Sequence, residues 1–172
     1  KWIRQIGTFK KDSATGIVAR NGKIYISGYV EHNNHSRGSF VDPWFNSSGD
    51  NNTHGGGGGC CDHDGFWAKL SENGDVDWVN QFASSHNEQA HDIQIDSSNN
   101  IYVSGFMRKN SGIFGVDWID DNHAGTYRPG YENGFVMKSW DNGTIQWIRF
   151  MGWASHRQYK DMGLNNSSIY YL

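Results

Sequence analysis

The chain reads as all-β, assembled from repeated four-stranded antiparallel sheets, and three observations predict this. The strand phrase Lys23-Ile-Tyr-Ile-Ser-Gly-Tyr29 is written again as Asn100-Ile-Tyr-Val-Ser-Gly-Phe106, and a third copy runs Ser168-Ile-Tyr-Tyr-Leu172. Self-similarity at a fixed spacing decides architecture before any single residue does. Trp2, Trp78 and Trp147 recur in register with that phrase, each opening a short apolar run. Helix signals are missing: no 3.6-residue apolar period persists over three turns, and leucine stands only at Leu70, Leu164 and Leu172.

Each unit is read as four strands. The first strand is Ala14-Thr-Gly-Ile-Val-Ala19 in one copy, Ala90-His-Asp-Ile-Gln-Ile95 in the next and Tyr159-Lys-Asp-Met-Gly-Leu164 in the third. Short polar turns, Asn21-Gly22 and Ser97-Ser-Asn-Asn100, join it to the Ile-Tyr strand. The third strand is Phe66-Trp-Ala-Lys-Leu70 and then Phe135-Val-Met-Lys-Ser139. Asn73-Gly74 and Asn142-Gly143 follow, a pair predicted to supply the two positive-φ residues of a type I′ hairpin turn. Each following tryptophan then begins the return strand. The expected organisation is residues 1–7 as the last strand of a preceding unit, 12–83 as a unit with a long loop 31–64, 89–152 as a unit with a long loop 107–133, and 159–172 as the first strands of a following unit.

Composition narrows the function classes. Eight Trp, eight Tyr and nine Phe make the core aromatic, and each such side chain buries roughly 150–250 Å². A net charge of −3 and a pI near 6.2 leave no electrostatic footprint for nucleic acid. No apolar stretch approaches the length of a membrane-spanning helix. The opening Lys1-Trp2-Ile3 is neither a signal peptide nor an initiator Met, which points to a trimmed end or a longer precursor. Asn-x-Ser/Thr acceptors stand at Asn34, Asn46, Asn51, Asn142, Asn165 and Asn166, candidate N-glycosylation sites in an extracellular or cell-surface chain. Asn/Ser-rich turns also generate such triplets without modification.

The phrases Asp12-Ser-Ala-Thr-Gly-Ile-Val-Ala19, Gly22-Lys-Ile-Tyr-Ile-Ser-Gly28, Gly65-Phe-Trp-Ala-Lys-Leu70 and Asn73-Gly-Asp-Val-Asp-Trp78 resemble the SBBP type of bacterial β-propeller repeat. The resemblance implies that the sheets are propeller blades, two complete and partial ones at both ends, in a large secreted or surface protein. Its motifs are hydrophobic and turn-forming, and carry no activity. The connections 31–64 and 107–133 are longer than the family pattern, and long aperiodic loops are usually functional or disordered. The family's acidic residue before the third strand is Asp64 in one copy and Asn133 in the other, and a turn role is expected of both.

Strand parity places the connections 31–64, 83–89, 107–133 and 152–158 on one rim, with only short turns on the other. That rim collects seven of the eight histidines and the aromatic residues Trp44, Trp118, Tyr127 and Tyr131, which would serve as stacking platforms for sugar rings in a glycan-binding reading. They equally suit anchoring of their own loops. Cys60-Cys61-Asp62-His63-Asp64 lacks the spacers of a zinc site. Disulfide formation by Cys60 and Cys61, with each other, another segment or another chain, is expected instead. No cofactor is expected, and Asp117, Asp120 and Asp121 are the oxygen ligands that calcium would use.

No nucleophile elbow, metalloprotease helix motif or arguable carboxylate pair is present. The expected function is a non-enzymatic structural or adhesive repeat segment of a secreted, N-glycosylated surface or filament protein. Its expected partners are neighbouring copies or further repeats, and glycans. The alternatives are a lectin-like module and, third, a propeller hydrolase or lyase with a loop-side histidine as base.

Overall fold

The computed structural model describes residues 1–3, 11–32, 62–83, 87–107, 112–113, 133–153, 162–165 and 168–171. Among them there are strands and turns and no helix, and the all-β expectation holds. Eleven strands follow in order: β1 Asp12–Arg20, β2 Lys23–His32, β3 Asp62–Ser71, β4 Val76–Ala83, β5 Gln89–Ile95, β6 Ile101–Met107, β7 Gly112–Ile113, β8 Asn133–Ser139, β9 Ile145–Trp153, β10 Met162–Asn165 and β11 Ser168–Tyr171. Sheet 1 has the order β1-β2-β3-β4-β7, sheet 2 the order β5-β6-β8-β9, and sheet 3 is the pair β10-β11. All pairings are antiparallel. Residues 1–3 carry no strand, and the rest of the expected strand 1–7 lies outside the described residues.

The repeated phrase makes equivalent strands for a steric reason. In sheet 1 the register between β1 and β2 slips by one residue at a bulge between Ala14 and Gly16; in sheet 2 the same slip falls between Ala90 and Asp92. A bulge leaves an extra residue unpaired and bends its strand. Gly28 and Gly105 are the residues that receive it: a Cβ there would lie 2.0 Å from the Ser13 carbonyl oxygen and 2.0 Å from the Gln89 carbonyl oxygen, respectively. The Ser-Gly of the phrase is therefore the mould of the bulge opposite.

The turns correct one expectation. The two-residue type I′ turn is at Asn21-Gly22, where both residues have positive φ, 51° and 70°, and Arg20 pairs with Lys23. In the turns after β3 and β8 only the glycines are left-handed, Gly74 at φ 81° and Gly143 at φ 85°. Gly74 N–H donates to the Ser71 carbonyl and Ser71 N–H to the Asp75 carbonyl; Gly143 with Trp140, and Trp140 with Thr144, repeat this. These are three-residue loops, a type I turn followed by a left-handed glycine. Register slips at Lys69/Leu70 and Lys138/Ser139 accompany them.

β7 was not foreseen. Taken from the long connection of sheet 2, it crosses to pair Ile113 with Phe82 and Gly112 with Ala83 along the edge of β4. An edge strand's unpaired N–H and C=O groups attract such an addition.

The sheets stack face to face. Val18, Tyr25, Trp67 and Trp78 of sheet 1 pack on Ile93, Ile101, Val103, Phe135, Met137 and Ile148 of sheet 2, within one largely buried cluster. The opposite faces hold two smaller cores. On sheet 1, Val30, Phe66, Ala68 and Leu70 cluster with Ile24, Ile26, Val76 and Val79. On sheet 2, Tyr102, Val136 and Trp147 meet Met162 and Leu164 of β10. The first strands lie side by side, β1 against β5 and β5 against β10. A Cβ on Gly16 would come 2.9 Å from the Ile93 nitrogen, so glycine sets how closely β1 approaches β5.

Candidate functional site

Two polar constellations sit at opposite ends of the contact between sheets 1 and 2. On the turn side, a latch joins them. The Asp141 carboxylate, in the turn after β8, accepts from the Tyr25 hydroxyl at 2.6 Å and from the Lys69 ammonium at 2.5 Å. The Trp78 indole N–H donates to the Asp141 carbonyl at 3.1 Å, and the Asn80 amide donates to the Gly143 carbonyl at 3.1 Å. Gly143 lies under the Trp78 ring, where a Cβ would stand 3.3 Å from Cδ2.

Burial opposes the charge on Asp141, but the hydrogen bonds from Lys69 and Tyr25, reinforced by the charges of Lys69 and Lys23, outweigh it. Its carboxyl is held below the ordinary aspartate range. Burial, followed by the bond to Asp141, drives the Tyr25 phenol above its ordinary range.

Trp2 repeats half of this latch on sheet 1. Its indole N–H donates to the Glu72 carbonyl at 2.8 Å, and a Cβ on Gly74 would stand 2.7 Å from its ring. Trp2 meets the turn 72–74 as Trp78 meets the turn 141–143.

On the loop side, the ends of β2, β3 and β5 enclose a second cluster. Glu31 is 7 % exposed, Glu88 0 % and Gln89 8 %, unusual burial for such side chains. His63 Nε2 stands 4.0 Å from a Glu31 carboxylate oxygen, and His63 Nδ1 is 3.0 Å from the Gln89 amide nitrogen. His63 N–H donates to the Asn87 side chain and its carbonyl accepts from Glu88 N–H at 2.7 Å. The Tyr29 ring meets the imidazole edge-on at 4.6 Å. On the far face of β3, Asp64 accepts from the Gln81 amide at 3.3 Å.

The expected turn role of Asp64 and Asn133 is therefore replaced. Both are strand residues, 2 % and 0 % exposed, closing the rim ends of β3 and β8. An acidic or amide residue just before an aromatic strand was the signal available for this cluster. What it lacked was the partner, since His63 and Glu31 meet only once β2 and β3 pair with His63 opposite Glu31.

The arrangement on the loop side holds an imidazole between a carboxylate and an amide, a geometry suited to hydrogen bonding and to locking loop ends. Among the described residues no group of three or more His, Cys, Asp or Glu is placed to hold a metal ion. The platforms Trp44, Trp118, Tyr127 and Tyr131, the cysteines Cys60 and Cys61, the acceptors Asn34, Asn46, Asn51 and Asn166, and the acidic trio Asp117, Asp120 and Asp121 lie outside the described residues. Asn142 is exposed at the turn after β8, with its side-chain oxygen accepting from Thr144 N–H at 3.0 Å. Asn165 ends β10 opposite Ser168. No helix among the described residues is long and apolar enough to cross a membrane.

No family model and no curated protein matches this chain.

Proposed function

We propose that this chain is a non-enzymatic structural or adhesive module, a run of propeller-like blades in a secreted, N-glycosylated surface or filament protein. The observation that carries the reading is the repeated seating of a tryptophan from one unit on the glycine turn of the next, Trp2 on 72–74 and Trp78 on 141–143. Units that interlock by the same contact stack additively, as in other repeat architectures. The buried polar residues serve that purpose as well: Lys69, Tyr25 and Asp141 join sheets, and His63 with Glu31 ties the rim.

Electron microscopy and mass spectrometry of the native material test the reading. Regular polymers, together with hexosamine on Asn34, Asn46, Asn51, Asn142, Asn165 or Asn166, are the expected result. A dispersed, sugar-free protein that cleaves or modifies a polysaccharide overturns it.

A further inference from the structure

The face of sheet 2 that looks away from sheet 1 is covered on one half only among the described residues. Met162 and Leu164 of β10 pack against Tyr102, Val136 and Trp147. β11 pairs with β10, and its other edge has no strand on it among the described residues. Toward β8 and β9, Lys138, Trp147 and Arg149 remain partly exposed. Their charges and rings are gathered: the Lys138 ammonium lies 5.4 Å from the Tyr102 ring centre, and the Arg149 guanidinium 5.6 Å from the Trp147 ring centre. The Tyr102 and Trp147 rings meet edge-on at 6.3 Å.

The same four positions in sheet 1 are occupied. Tyr25, Lys69, Trp78 and Asn80 stand there where Tyr102, Lys138, Trp147 and Arg149 stand in sheet 2, and they grip the turn Asp141-Asn142-Gly143. We infer that the open half of this face on sheet 2 is the seat of a further β-hairpin, one whose turn reads carboxylate-Asn-Gly and whose first strand pairs with β11.

The occupant's chemistry follows from the seat. Trp147 takes the backbone carbonyl of the acidic residue on its indole N–H and the glycine under its ring, as Trp78 does with Asp141 and Gly143 and Trp2 with Glu72 and Gly74. Lys138 takes the carboxylate. The Tyr102 hydroxyl already donates to Asp96 at 3.1 Å, so it does not share that task as Tyr25 does. Arg149 reaches the glycine carbonyl in place of Asn80. Lys138 supplies charge complementarity to the carboxylate, as Lys69 does to Asp141, and pairing with β11 supplies main-chain hydrogen bonds by strand addition. The inference rests on the repeat reading above but is independent of secretion, glycosylation and polymer formation.

The probe is the chain's own hairpin, residues 133–153, made as a cyclised, dye-labelled peptide whose hairpin form is verified by NMR and titrated onto the full chain by fluorescence anisotropy. Saturable binding is expected, weakened about tenfold by Lys138→Met in the chain and by Asp141→Asn in the peptide. A parallel arm appends the same residues through a Gly/Ser linker after Leu172, which is expected to raise the thermal midpoint; Asp141→Asn in the appended copy cancels the rise. Lys138 is only partly buried, so the variant chain is expected to keep its circular dichroism spectrum and serve as a folded control. A folded peptide that does not bind together with an unshifted midpoint overturns the inference. So does binding that ignores both substitutions. Either result leaves the native-polymer test of the proposed function unaffected.

Discussion

Sheets 1 and 2 are two castings of one pattern, and they agree and differ in a systematic way. Both carry the bulge in the first strand, the glycine that receives it, and the type I turn ending in a left-handed glycine. They differ where side chains reach out of the sheet. Tyr25 donates across to Asp141, whereas Tyr102 donates within its own sheet to Asp96. Gly16 lets β1 lie close on β5, whereas Asp92 at the matching place of β5 accepts the Met162 N–H of β10 at 3.0 Å. Trp67 fills the space between sheets 1 and 2 where Val136 faces Met162. The backbone steric devices are shared because each sheet pairs its own strands in the same register. The inter-sheet contacts vary because each need only match its own neighbour.

Substitutions at matched positions break or sharpen this comparison, and the largest effect is expected at the core pair. Trp67→Ala empties a 1 % exposed site and is expected to cost about 4 kcal/mol in chemical denaturation. Val136→Ala, at the matching position, removes two methyl groups and should cost about 2 kcal/mol. Equal losses at the two positions would contradict the unequal packing described here.

The bulge glycines come next and are expected to behave alike. Gly28→Ala and Gly105→Ala each drive a Cβ into a carbonyl oxygen, at a cost of about 3 kcal/mol apiece. A tolerated alanine at either site would remove the steric account of the repeated Ser-Gly.

Asp141→Asn leaves the 8 % exposed Lys69 without its carboxylate partner, and urea denaturation is expected to register about 1–2 kcal/mol. Glu72→Gln, at the matching position of sheet 1, concerns an exposed residue, and a change of about 0.5 kcal/mol or less is expected. The difference also sets a pH dependence. Burial opposes ionisation of Asp96, yet donors from Asn100, Tyr102 and Ser98 hold its carboxyl below the ordinary range, as Lys69 and Tyr25 do for Asp141. A depressed folded-state pKa gives stability that is fully present above the unfolded value of about 3.9 and is lost as pH falls through the folded value. Thermal midpoints of the native chain should therefore fall below about pH 4, and Asp141→Asn should make that fall shallower.

The smallest effect is expected at Lys23 and Asp77, paired at 2.8 Å but each about a third exposed. Lys23→Ala should shift stability by roughly 0.5 kcal/mol or less, and less still in high salt.

Much of the architecture was legible. The four-strand unit and the all-β class follow from repeated phrases and from glycine and asparagine at turn spacing. The turn type after β3 was misread because Asn-Gly suits two geometries, and the bonds Gly74 to Ser71 and Ser71 to Asp75 select the longer one. β7 was illegible because two residues carry no periodicity, and an edge strand takes them by main-chain bonding alone.

The candidate site divides the same way. Asp64 and Asn133 stood out as residues, but their burial did not. Tyr25 and Asp141 are 116 positions apart, and nothing in either neighbourhood announces the other.

By itself, the sequence determined what short-range sterics dictate: where strands start and where they turn. Only the tertiary structure decided which face of each sheet meets its neighbour, which tyrosine reaches across and which histidine is enclosed. The first kind of information is local, because backbone clashes and turn dihedrals involve residues a few positions apart. The second arises when two sheets are pressed together, and the partner of each buried polar group is then whichever side chain the stacking brings within hydrogen-bonding distance.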